Sequence, residues 1–556
     1  MFRLNADLHK GVTMEKRLTA TILMLSLFLT TAFLFTACEE DDGKGYIFGY
    51  NISSNPSSLD PQCANDRQSF LLIGTLFEGL LKCDNEGNII PAGAQSYTVS
   101  DDKLTYKFKL HENRYWTDVN GFSEKVTAKD YVYGFQRLFS PETRAPGAED
   151  LYCIKNSQKI AKGLIPDVSQ LGVKAISDYE LQITLDYPDS SFLMLLTTAP
   201  AMPCNEEYFL ASQGKYGLTA KTTPSNGAFY LKSWNYDPWS DDNNNLVLRY
   251  NDKYNECDEV YPLGLNFFIE DTDGFLEDFY SGTSQNILLD GKKAEQLIKE
   301  SYSYQEYSTV TYGIMMNTKN SIFKDSMMRY ALLYATDNSE LTLPFGFEKA
   351  NGAVPFEVSD GKMNYREYAG NSPAVKADSI KASSSYRKAC ENISKDDLYS
   401  VTVIAVEGRD EELINSAQDI FQQWQAELGF FCTIKYLSES AYNSAIQNGN
   451  YTLALARVTG EFNNPQSYLK NFTSSGYKYS AMDSSYQSYL QSAVNAFSTE
   501  DSYKECAKAE NMLLCDGRFI PVAYATEYFF SDKDCADVYY NPFSGAIDYT
   551  KAIYKD

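Results

Sequence analysis

Histidine is scarce in this sequence of 556 residues, which contains only two. His9 precedes an apolar leader, so we expect the mature chain to keep only His111. Metal sites built from several histidines are therefore excluded. A Ser-His-Asp hydrolase would have to use His111, which falls on the polar side of a predicted strand, where an ordinary solvated histidine is expected.

The sequence also lacks paired cysteines and an excess of basic residues. Its 11 cysteines include no Cys-x-x-Cys pair, so the usual zinc and thiol-redox motifs are absent and no metal or cofactor is predicted. The ten cysteines after Cys38 could form disulfides or stay free. Asp and Glu number 74 against 49 Lys and Arg, for a formal net charge of −25. Nucleic-acid binding, which needs a net basic surface, is therefore disfavoured.

The composition that remains is that of a folded protein with several units. Apolar residues make up 44% and charged residues 22%, which excludes a disordered chain. The length suggests about three or four domains. Tyrosine is abundant, with 43 residues. It suits pockets for ligands of mixed polarity, but it suits ordinary strand surfaces equally well.

The N-terminal segment has the pattern of an export signal. Lys16 and Arg17 precede residues 18–37, which carry no charge. The segment ends in Phe35-Thr36-Ala37-Cys38 and resembles a bacterial lipoprotein signal, which implies cleavage before Cys38 and lipidation of its side chain. An uncleaved membrane helix is the alternative. Both place the bulk of the chain outside the membrane, and either Met1 or Met14 is consistent with the start.

Local patterns predict strands and a helix in the first third of the chain. Residues 104–110 alternate apolar and polar side chains, which indicates a half-buried strand. Thr127 followed by Asp130 is similar to a capping box and predicts a helix start. Residues 173–185 contain two short apolar runs around a polar turn, which predicts a β-hairpin.

A βαβαβ order is clearest between residues 399 and 456. Such an order implies parallel strands with helical crossovers. In open α/β sheets, ligands bind outside the carboxyl ends of the strands. Residues 457–461, just past the third predicted strand, are therefore nominated as a binding rim. The predicted elements are strands at 401–405, 431–437 and 451–456 and helices at 413–428 and 441–446.

Short motifs appear in a fixed order between residues 46 and 556. They are Ser58-Leu59-Asp60-Pro61, Leu76 to Leu81, Tyr115 to Asp118, Val126 to Tyr133, Asn226 to Leu231, Tyr312 to Leu332 and Ile520-Pro521-Val522. In this order they resemble the bacterial oligopeptide-binding proteins, the solute-binding family 5 of ABC importers. A single motif would be weak, whereas the whole ordered set is specific.

The resemblance implies an α/β protein with a type II periplasmic-binding-protein fold. Two lobes joined by a hinge close over a ligand, and an extra domain is inserted in the first lobe. The hinge is expected near residues 290 and 520. The implied divisions are a signal peptide at 1–37, a lipidated linker at 38–45, the first lobe at 46–75, 186–290 and 520–556, the inserted domain at 76–185, and the second lobe (domain III) at 291–519.

The resemblance also implies where a ligand binds. Peptide binders of the family have an Asp at the position of Glu461, and that Asp pairs with the α-ammonium of the ligand. A solvated rim carboxylate is the alternative for Glu461. Residues 458–460 would offer backbone groups to a peptide laid as an added strand, and Arg457 is a carboxylate partner or else a hinge arginine. The predicted ligand-binding residues are Arg457, Val458, Thr459, Gly460, Glu461 and Phe462.

The implied function is peptide capture without catalysis. The expected partners are a peptide ligand, the permease subunits of an ABC importer, and the outer face of the cytoplasmic membrane through a lipid anchor. A monomer is expected, with no nucleic acid and no cofactor. Alternatives are the same fold with a glycan, small metabolite or metal chelate, and a surface sensor or adhesin. A secreted hydrolase would need His111 beside a nucleophile, or a carboxylate pair in a cleft.

Overall fold

The computed structural model describes residues 44–85, 87–240, 243–254, 259–339, 341–359, 363–370 and 373–555. The predicted signal with Cys38 and most of the predicted linker lie outside these ranges, as does Cys257. Within them, no helix combines the length and the apolar character needed to cross a bilayer. Two main sheets organise the described residues, and each forms the centre of one lobe.

The first lobe is built on a mixed four-stranded sheet. Its N-terminal strand is almost entirely buried and lies parallel to its neighbour. Gly49 in this strand has to be glycine, because a Cβ atom would collide with the carbonyl oxygen of Thr283. The strands, in spatial order, are Ile47–Ile52, Gly264–Ile269, Asn245–Tyr250 and Phe229–Asn235.

The inserted domain packs on this lobe and shares its apolar core. The alternation predicted for residues 104–110 is confirmed, because Tyr106, Phe108 and Leu110 are buried and Lys107 and Lys109 are exposed. The predicted hairpin is confirmed too. The antiparallel sheet has the order Ala94–Val99, Thr105–Leu110, Glu180–Thr184 and Val173–Ser177.

The main helix of the inserted domain, Ala128–Phe139, begins where the sequence predicts. The backbone N–H of Thr127 donates to Asp130 Oδ2 at 2.7 Å, which is one half of a capping box. Phe135 and Leu138 are buried on the face towards the core. The cap therefore fixes the start of the helix, and the apolar spacing fixes which face is buried.

A buried ion pair joins this helix to the N-terminal segment. Arg137 Nη2 lies 2.6 Å from Asp60 Oδ2, and Arg137 Nη1 lies 3.1 Å from Asp60 Oδ1. The guanidinium also donates to Gln62 at 2.8 Å and lies 3.9 Å from the centroid of the Phe209 ring. Asp60 belongs to the Ser58-to-Pro61 motif, so in this structure that motif anchors the inserted domain.

The second lobe is built on a seven-stranded sheet that contains the predicted βαβαβ unit. Parallel pairing of its strands is confirmed, and the crossover helices are Glu411–Leu428 and Glu439–Asn448. The main strand order is Asn286–Leu289, Phe519–Ser531, Ser303–Met316, Leu453–Thr459, Thr402–Val406 and Thr433–Leu437, and Phe347–Lys349 pairs with Phe519–Ser531.

The strand bounds of this unit differ from the prediction by a few residues, and one of these differences affects the predicted binding rim. The third strand continues to Thr459 instead of ending at residue 456. It does so because it pairs antiparallel with Ser303–Met316 as far as the pair Val310 and Thr459. Residues 457–459 are therefore part of the sheet, and only Gly460 and Glu461 of the predicted rim lie beyond it.

One strand, Phe519–Ser531, contributes to both lobes, and we call it the crossing strand. It pairs with Ser303–Met316 along almost its whole length. Its residues Ile520, Val522, Ala523 and Ala525 pack in the core of the second lobe, whereas Phe529 packs in the core of the first lobe. The change of core falls between residues 525 and 529. The predicted domain boundaries, with a hinge near 290 and 520, stay predictions.

The remaining elements cover these sheets. The helices are Arg67–Leu76, Ser157–Ala161, Phe192–Leu195, Glu206–Ala211, Phe275–Ser281, Gly291–Lys299, Ser326–Tyr334, Tyr365–Ala369, Ser379–Cys390, Lys395–Leu398, Pro465–Leu469, Ser484–Val494 and Thr499–Asp516. Short strand pairs are Leu81–Cys83 with Ile89–Pro91, Tyr115–Thr117 with Ser123–Lys125, Cys535–Ala536 with Ile553–Tyr554, and Tyr539–Tyr540 with Ile547–Asp548.

All nine cysteines in the described ranges are free thiols. Four of them, Cys153, Cys204, Cys506 and Cys535, are buried. Burial raises the pKa of the Cys204 thiol to about 12. Such a thiol stays protonated at neutral pH and is a poor nucleophile. These buried cysteines therefore act as packing residues.

The Arg137–Asp60 pair gives a prediction about stability. Replacing Arg137 by Ala leaves Asp60 buried and uncompensated, so we expect a loss of about 3–5 kcal/mol in the free energy of unfolding. The control is Lys129→Ala, since the Lys129–Asp178 pair is largely exposed at 3.7 Å and should cost less than about 1 kcal/mol. Urea unfolding measures both. Equal losses would contradict the structural role of Arg137.

Buried carboxyl groups give a prediction about pH. Burial and the neighbouring charge of Asp278 raise the pKa of Glu270 to about 7, and burial raises those of Asp130 and Asp189 to about 6. The folded state then binds more protons than the unfolded state between these pKa values and the ordinary ones near 4. Stability should therefore rise as the pH falls from 8 towards 5.5.

Thermal unfolding across this range measures the effect. In Glu270→Gln, the amide can donate to Asp278 as a protonated Glu270 would, and the change in melting temperature between pH 8 and pH 6 should be smaller. Exposed Glu391→Gln should leave it unchanged. If the melting temperature of Glu270→Gln changed with pH as much as that of the original protein, the Glu270–Asp278 pair would make no contribution to the pH dependence of stability.

Candidate functional site

The candidate site is a cleft of about 500 Å³ whose walls come from both lobes. The first lobe contributes three segments, and the second lobe contributes short pieces around residues 306, 357 and 461. The segments from the first lobe lie within residues 74–85, 194–202 and 227–229, and Tyr254 and residues 539–550 complete that wall. A cavity of this size between two lobes is typical of a small-molecule or peptide site.

Two of the sequence motifs form the wall on the side of the first lobe. Asn226 Oδ1 accepts from the backbone N–H of Glu78 at 3.0 Å, and Asn226 Nδ2 donates to the Glu78 carbonyl at 2.8 Å. The Glu78 carboxylate is itself occupied, with Arg114 Nε at 2.9 Å and the Tyr254 hydroxyl at 2.5 Å. Glu78 therefore supports the wall.

The C-terminal segment 539–550 supplies aromatic lining that the sequence analysis missed. Tyr307 and Tyr540 meet edge to face, with ring centroids 5.6 Å apart. Tyr540 stacks in turn on Phe529 of the crossing strand at 5.1 Å. The signal in the sequence is the density of Tyr, Phe and Asn after residue 538. Only the fold brings this segment to the cleft.

Glu461 and Phe462 both line the cleft, as their nomination requires. The Glu461 carboxylate keeps contact with solvent in the cleft, yet protein surrounds it closely enough that burial raises its pKa. Lys470 opposes this shift, and Asp150 adds to it. The ammonium of Lys470 is paired with the carboxylate of Asp150. The charge of Lys470, which is already paired with Asp150, therefore also acts on Glu461.

The side chains of Arg457 and Val458, two of the predicted ligand-binding residues, lie in the sheet. Arg457 is paired with Glu527 of the crossing strand at 2.7 Å, and Val458 is fully buried in the core of the second lobe. Neither lies among the cleft-lining residues. Both belong to a strand that the sequence pattern ended too early, so their side chains serve the sheet.

The proposed strand edge at residues 457–460 is also occupied. The carbonyl oxygen of Arg457 accepts from the Tyr477 hydroxyl at 2.8 Å, and that of Thr459 accepts from Asn471 Nδ2 at 2.9 Å. Gly460 is enclosed by Ser467 and Tyr468, with no room for a Cβ atom. A peptide laid along this edge would have to displace or share these side-chain donors.

Contacts between the lobes lie beside Glu461. Phe462 belongs to the second lobe but packs in the apolar core of the first lobe, with 8% of its side chain exposed. Asn464 Nδ2 donates to Ser191 Oγ at 3.0 Å, and the backbone N–H of Ser190 donates to the Val494 carbonyl at 3.1 Å. With the Lys470–Asp150 pair, these contacts hold the two lobes together.

Other kinds of site find little support in the described part of the chain. No group of three or more His, Cys, Asp or Glu residues there is arranged to hold a metal ion. His111 directly follows the strand Thr105–Leu110, is partly exposed, and lies outside the cleft lining.

Comparison with known proteins identifies the family. The sequence profile of the bacterial extracellular solute-binding proteins, family 5 (middle region), matches residues 88–480. This chain belongs to that family. The predicted type II periplasmic-binding-protein fold is confirmed, and at family level a solute-binding protein agrees with the predicted non-enzymatic role.

Individual relatives cover most of the chain. The dipeptide-binding protein of Lactococcus lactis subsp. cremoris (strain MG1363) is 26% identical over 512 residues, which is 89% of each chain. The substrate-binding domain of an oligopeptide ABC transporter from Bacillus anthracis str. Ames superimposes with a TM-score of 0.76 and 25% identity. That match covers 93% of this chain and 100% of the other.

A shorter match involves a different ligand. The probable deoxycholate-binding periplasmic protein YgiS of Escherichia coli (strain K12) is 33% identical over 213 residues, which is 38% of each chain. Higher identity over a shorter segment does not outweigh the full-length matches for the fold. The ligand of this chain is therefore inferred from the residues that line its cleft.

Phe462 gives a prediction about lobe closure. Fully burying a Phe side chain contributes about 1.5–3 kcal/mol, so Phe462→Ala should shift the ratio of open to closed protein about ten- to hundredfold towards open. Small-angle scattering should then give a larger radius of gyration for the ligand-free variant. The control Phe431→Ala removes a half-exposed ring outside the cleft. Identical scattering for both variants would contradict a closing role for Phe462.

Proposed function

We propose that this chain is the extracytoplasmic substrate-binding protein of an ABC importer, and that it captures peptides in the cleft between its lobes. The observation that carries the proposal is the cleft of about 500 Å³ with Glu461 and Phe462 on its second-lobe wall. The L. lactis relative is named a dipeptide-binding protein. The B. anthracis structure is the substrate-binding domain of an oligopeptide transporter. Both names support a peptide ligand.

Glu461 binds the α-ammonium of the peptide in this proposal. A carboxylate held in a protein-lined cleft is a good partner for an ammonium, because the ion pair gains directional charge-assisted hydrogen bonds. The charge of Lys470 lowers the pKa of Glu461, but Lys470 is also paired with Asp150. An arriving ammonium therefore adds to a network that already carries two carboxylates and one cation.

Closure follows from contacts that exist only when the lobes meet. The packing of Phe462, the Asn464–Ser191 hydrogen bond and the Lys470–Asp150 pair all join the two lobes. A peptide that touches both walls favours the closed state by its difference in affinity for the two states. Opening at the permease would release it.

The location of the protein is part of the same proposal. Cys38 is the proposed lipid attachment site and would anchor the chain to the outer face of the cytoplasmic membrane. The permease subunits are the proposed membrane partners, and the family name supports a position outside the cytoplasm. A surface sensor that reuses the fold without a permease remains the alternative for the role in the cell.

A non-peptide ligand is the second candidate, and the match to YgiS is the observation that favours it. Aromatic rings such as Tyr307, Tyr539 and Phe543 line the cleft and could cover an apolar ligand. Deoxycholate, however, is an anion, and the cleft carries a large excess of carboxylates. Electrostatics therefore favour a ligand with a positive group.

Calorimetric titration with short peptides tests the proposal. The protein is first unfolded and refolded to remove co-purified ligand, and it is then titrated with a pool of peptides of about two to eight residues. We expect saturable binding. Glu461→Gln should weaken peptides with a free N-terminus about ten- to hundredfold, as expected for loss of a charge-assisted bond of about 1.5–3 kcal/mol.

Two comparisons make this test specific. N-acetylated peptides lack the ammonium and should lose little affinity in Glu461→Gln, and Glu391→Gln on the surface should bind all peptides normally. An equal loss for free and acetylated peptides would refute Glu461 as the ammonium partner. Failure of the folded protein to bind any peptide, with binding of deoxycholate, would overturn the peptide proposal itself.

A further inference from the structure

The two paired strands that pass between the lobes contain a β-bulge at the boundary. Their register shifts between Tyr307 and Val310. Ser308 and Thr309 therefore lie opposite the single residue Thr526, which is the residue count of a β-bulge. We call Ser308 and Thr309 the boundary bulge. Because a bulge interrupts the ladder of hydrogen bonds, the backbone can rotate there with less loss of pairing than elsewhere in these strands.

The boundary bulge lies where its strand leaves one core and enters the other. Tyr307, before the bulge, packs against the core of the first lobe, and Val310, after it, lies in the core of the second lobe. The crossing strand makes the same change between Ala525 and Phe529. Hinges consist of a few residues that absorb a change in backbone angle. A change in the angle between the lobes is therefore expected to involve this bulge.

A side chain of the second lobe is bonded to the backbone of the bulge. The hydroxyl of Tyr468 donates to the Thr309 carbonyl at 2.7 Å, and both residues are buried. Burial raises the pKa of this hydroxyl, against the opposing effect of a hydrogen bond from the backbone of Gly460. The hydroxyl is thus protonated at neutral pH and acts as a donor. Since a buried carbonyl that loses a donor is destabilised, this bond favours the observed shape of the bulge.

The ring of Tyr468 also supports the loop that carries Glu461. A Cβ atom at Gly460 would lie only 2.4 Å from Cε2 of Tyr468, so the ring packs directly against the backbone that precedes Glu461. The neighbouring Ser467 donates through its hydroxyl to the carbonyl of Phe462 at 2.8 Å. Tyr468 therefore contacts the cleft-lining loop with its ring and the boundary bulge with its hydroxyl.

We propose that Tyr468 is a positioning residue that couples the loop carrying Glu461 to the boundary bulge, so that a peptide bound at Glu461 favours closure of the lobes. The inference rests on the proposed function and adds the route by which the cleft acts on the angle between the lobes. An aromatic ring is rigid, so a displacement that the loop imposes on its edge also moves its hydroxyl. The two states that this coupling biases are the open and the closed arrangement of the lobes.

Tyr468→Phe tests the coupling, because it keeps the ring and removes only the hydroxyl. In the ligand-free protein, hydrogen exchange followed by mass spectrometry should become about five- to tenfold faster in residues 305–312 and 523–529, as expected for loss of one buried hydrogen bond. The affinity for short peptides, measured by calorimetry, should fall about three- to tenfold, because the closed state is less favoured.

Tyr442→Phe is the matched control. The Tyr442 hydroxyl donates to the Leu455 carbonyl at 2.8 Å, and Tyr442 is buried in the same apolar core as Tyr468. Leu455 pairs with Ile314, further along the strand than the boundary bulge. Both variants should lower the melting temperature to a similar extent, whereas only Tyr468→Phe should change the exchange at the bulge and the affinity for peptides.

Gly460→Ala perturbs the ring from the side of the loop. Its added methyl group presses on Tyr468, so exchange at the boundary bulge should become faster. In the double variant Gly460→Ala, Tyr468→Phe, exchange there should be no faster than in Tyr468→Phe alone. Effects of the two substitutions that simply add would show that the coupling does not pass through the hydroxyl, and would refute the proposal.

Two further outcomes would overturn the inference. Unchanged exchange and affinity in Tyr468→Phe would show that the hydroxyl does not hold the bulge, and equal changes in Tyr442→Phe would show that any lost buried hydroxyl has the same effect. If the unchanged protein binds no peptide, the proposed function fails, whereas exchange in the ligand-free variants still decides whether Tyr468 connects the loop to the boundary bulge.

Discussion

The crossing strand is the constraint on which the rest of the structure depends. A single continuous strand, Phe519–Ser531, gives its first half to the core of the second lobe and Phe529 to the core of the first. It is paired with Ser303–Met316 on both sides of this passage, and the register shifts between Tyr307 and Val310, where the core changes. The two paired strands therefore join the lobes as one ribbon whose pairing is irregular at the boundary.

Charge is distributed around the cleft in two ways. Near the crossing strand, Arg457 neutralises Glu527 inside the sheet, while Glu306 and Glu357 face the cavity without a basic partner among the described residues. At the other side of the cleft, Lys470 bridges Asp150 of one lobe and the surroundings of Glu461 in the other. The protein thus compensates the charges that hold its fold together and leaves negative charge where a ligand would lie.

The family motifs have mainly structural roles. Asp60 anchors Arg137, Thr127 and Asp130 begin a helix, and Asn226 fixes the backbone at Glu78. These are buried, directional contacts, which depend on residue type and so leave recognisable motifs in a sequence. Two of the motifs, at residues 76–81 and 226–231, also line the cleft. Much of the remaining lining lies in the C-terminal segment, where side chains face solvent and fewer residue types are excluded.

The sequence by itself determined the local structure and the family. Periodicity and caps predicted the strand at 104–110, the helix start at Thr127 and the βαβαβ unit, because these depend on neighbours within a few residues. The tertiary structure alone decided the site. Pairing with a strand about 150 residues away extended the third strand to Thr459, so that Arg457 and Val458 lie in the sheet. Closure of the chain likewise brought residues 539–550 to Glu306 and Glu461, a proximity that no local pattern encodes.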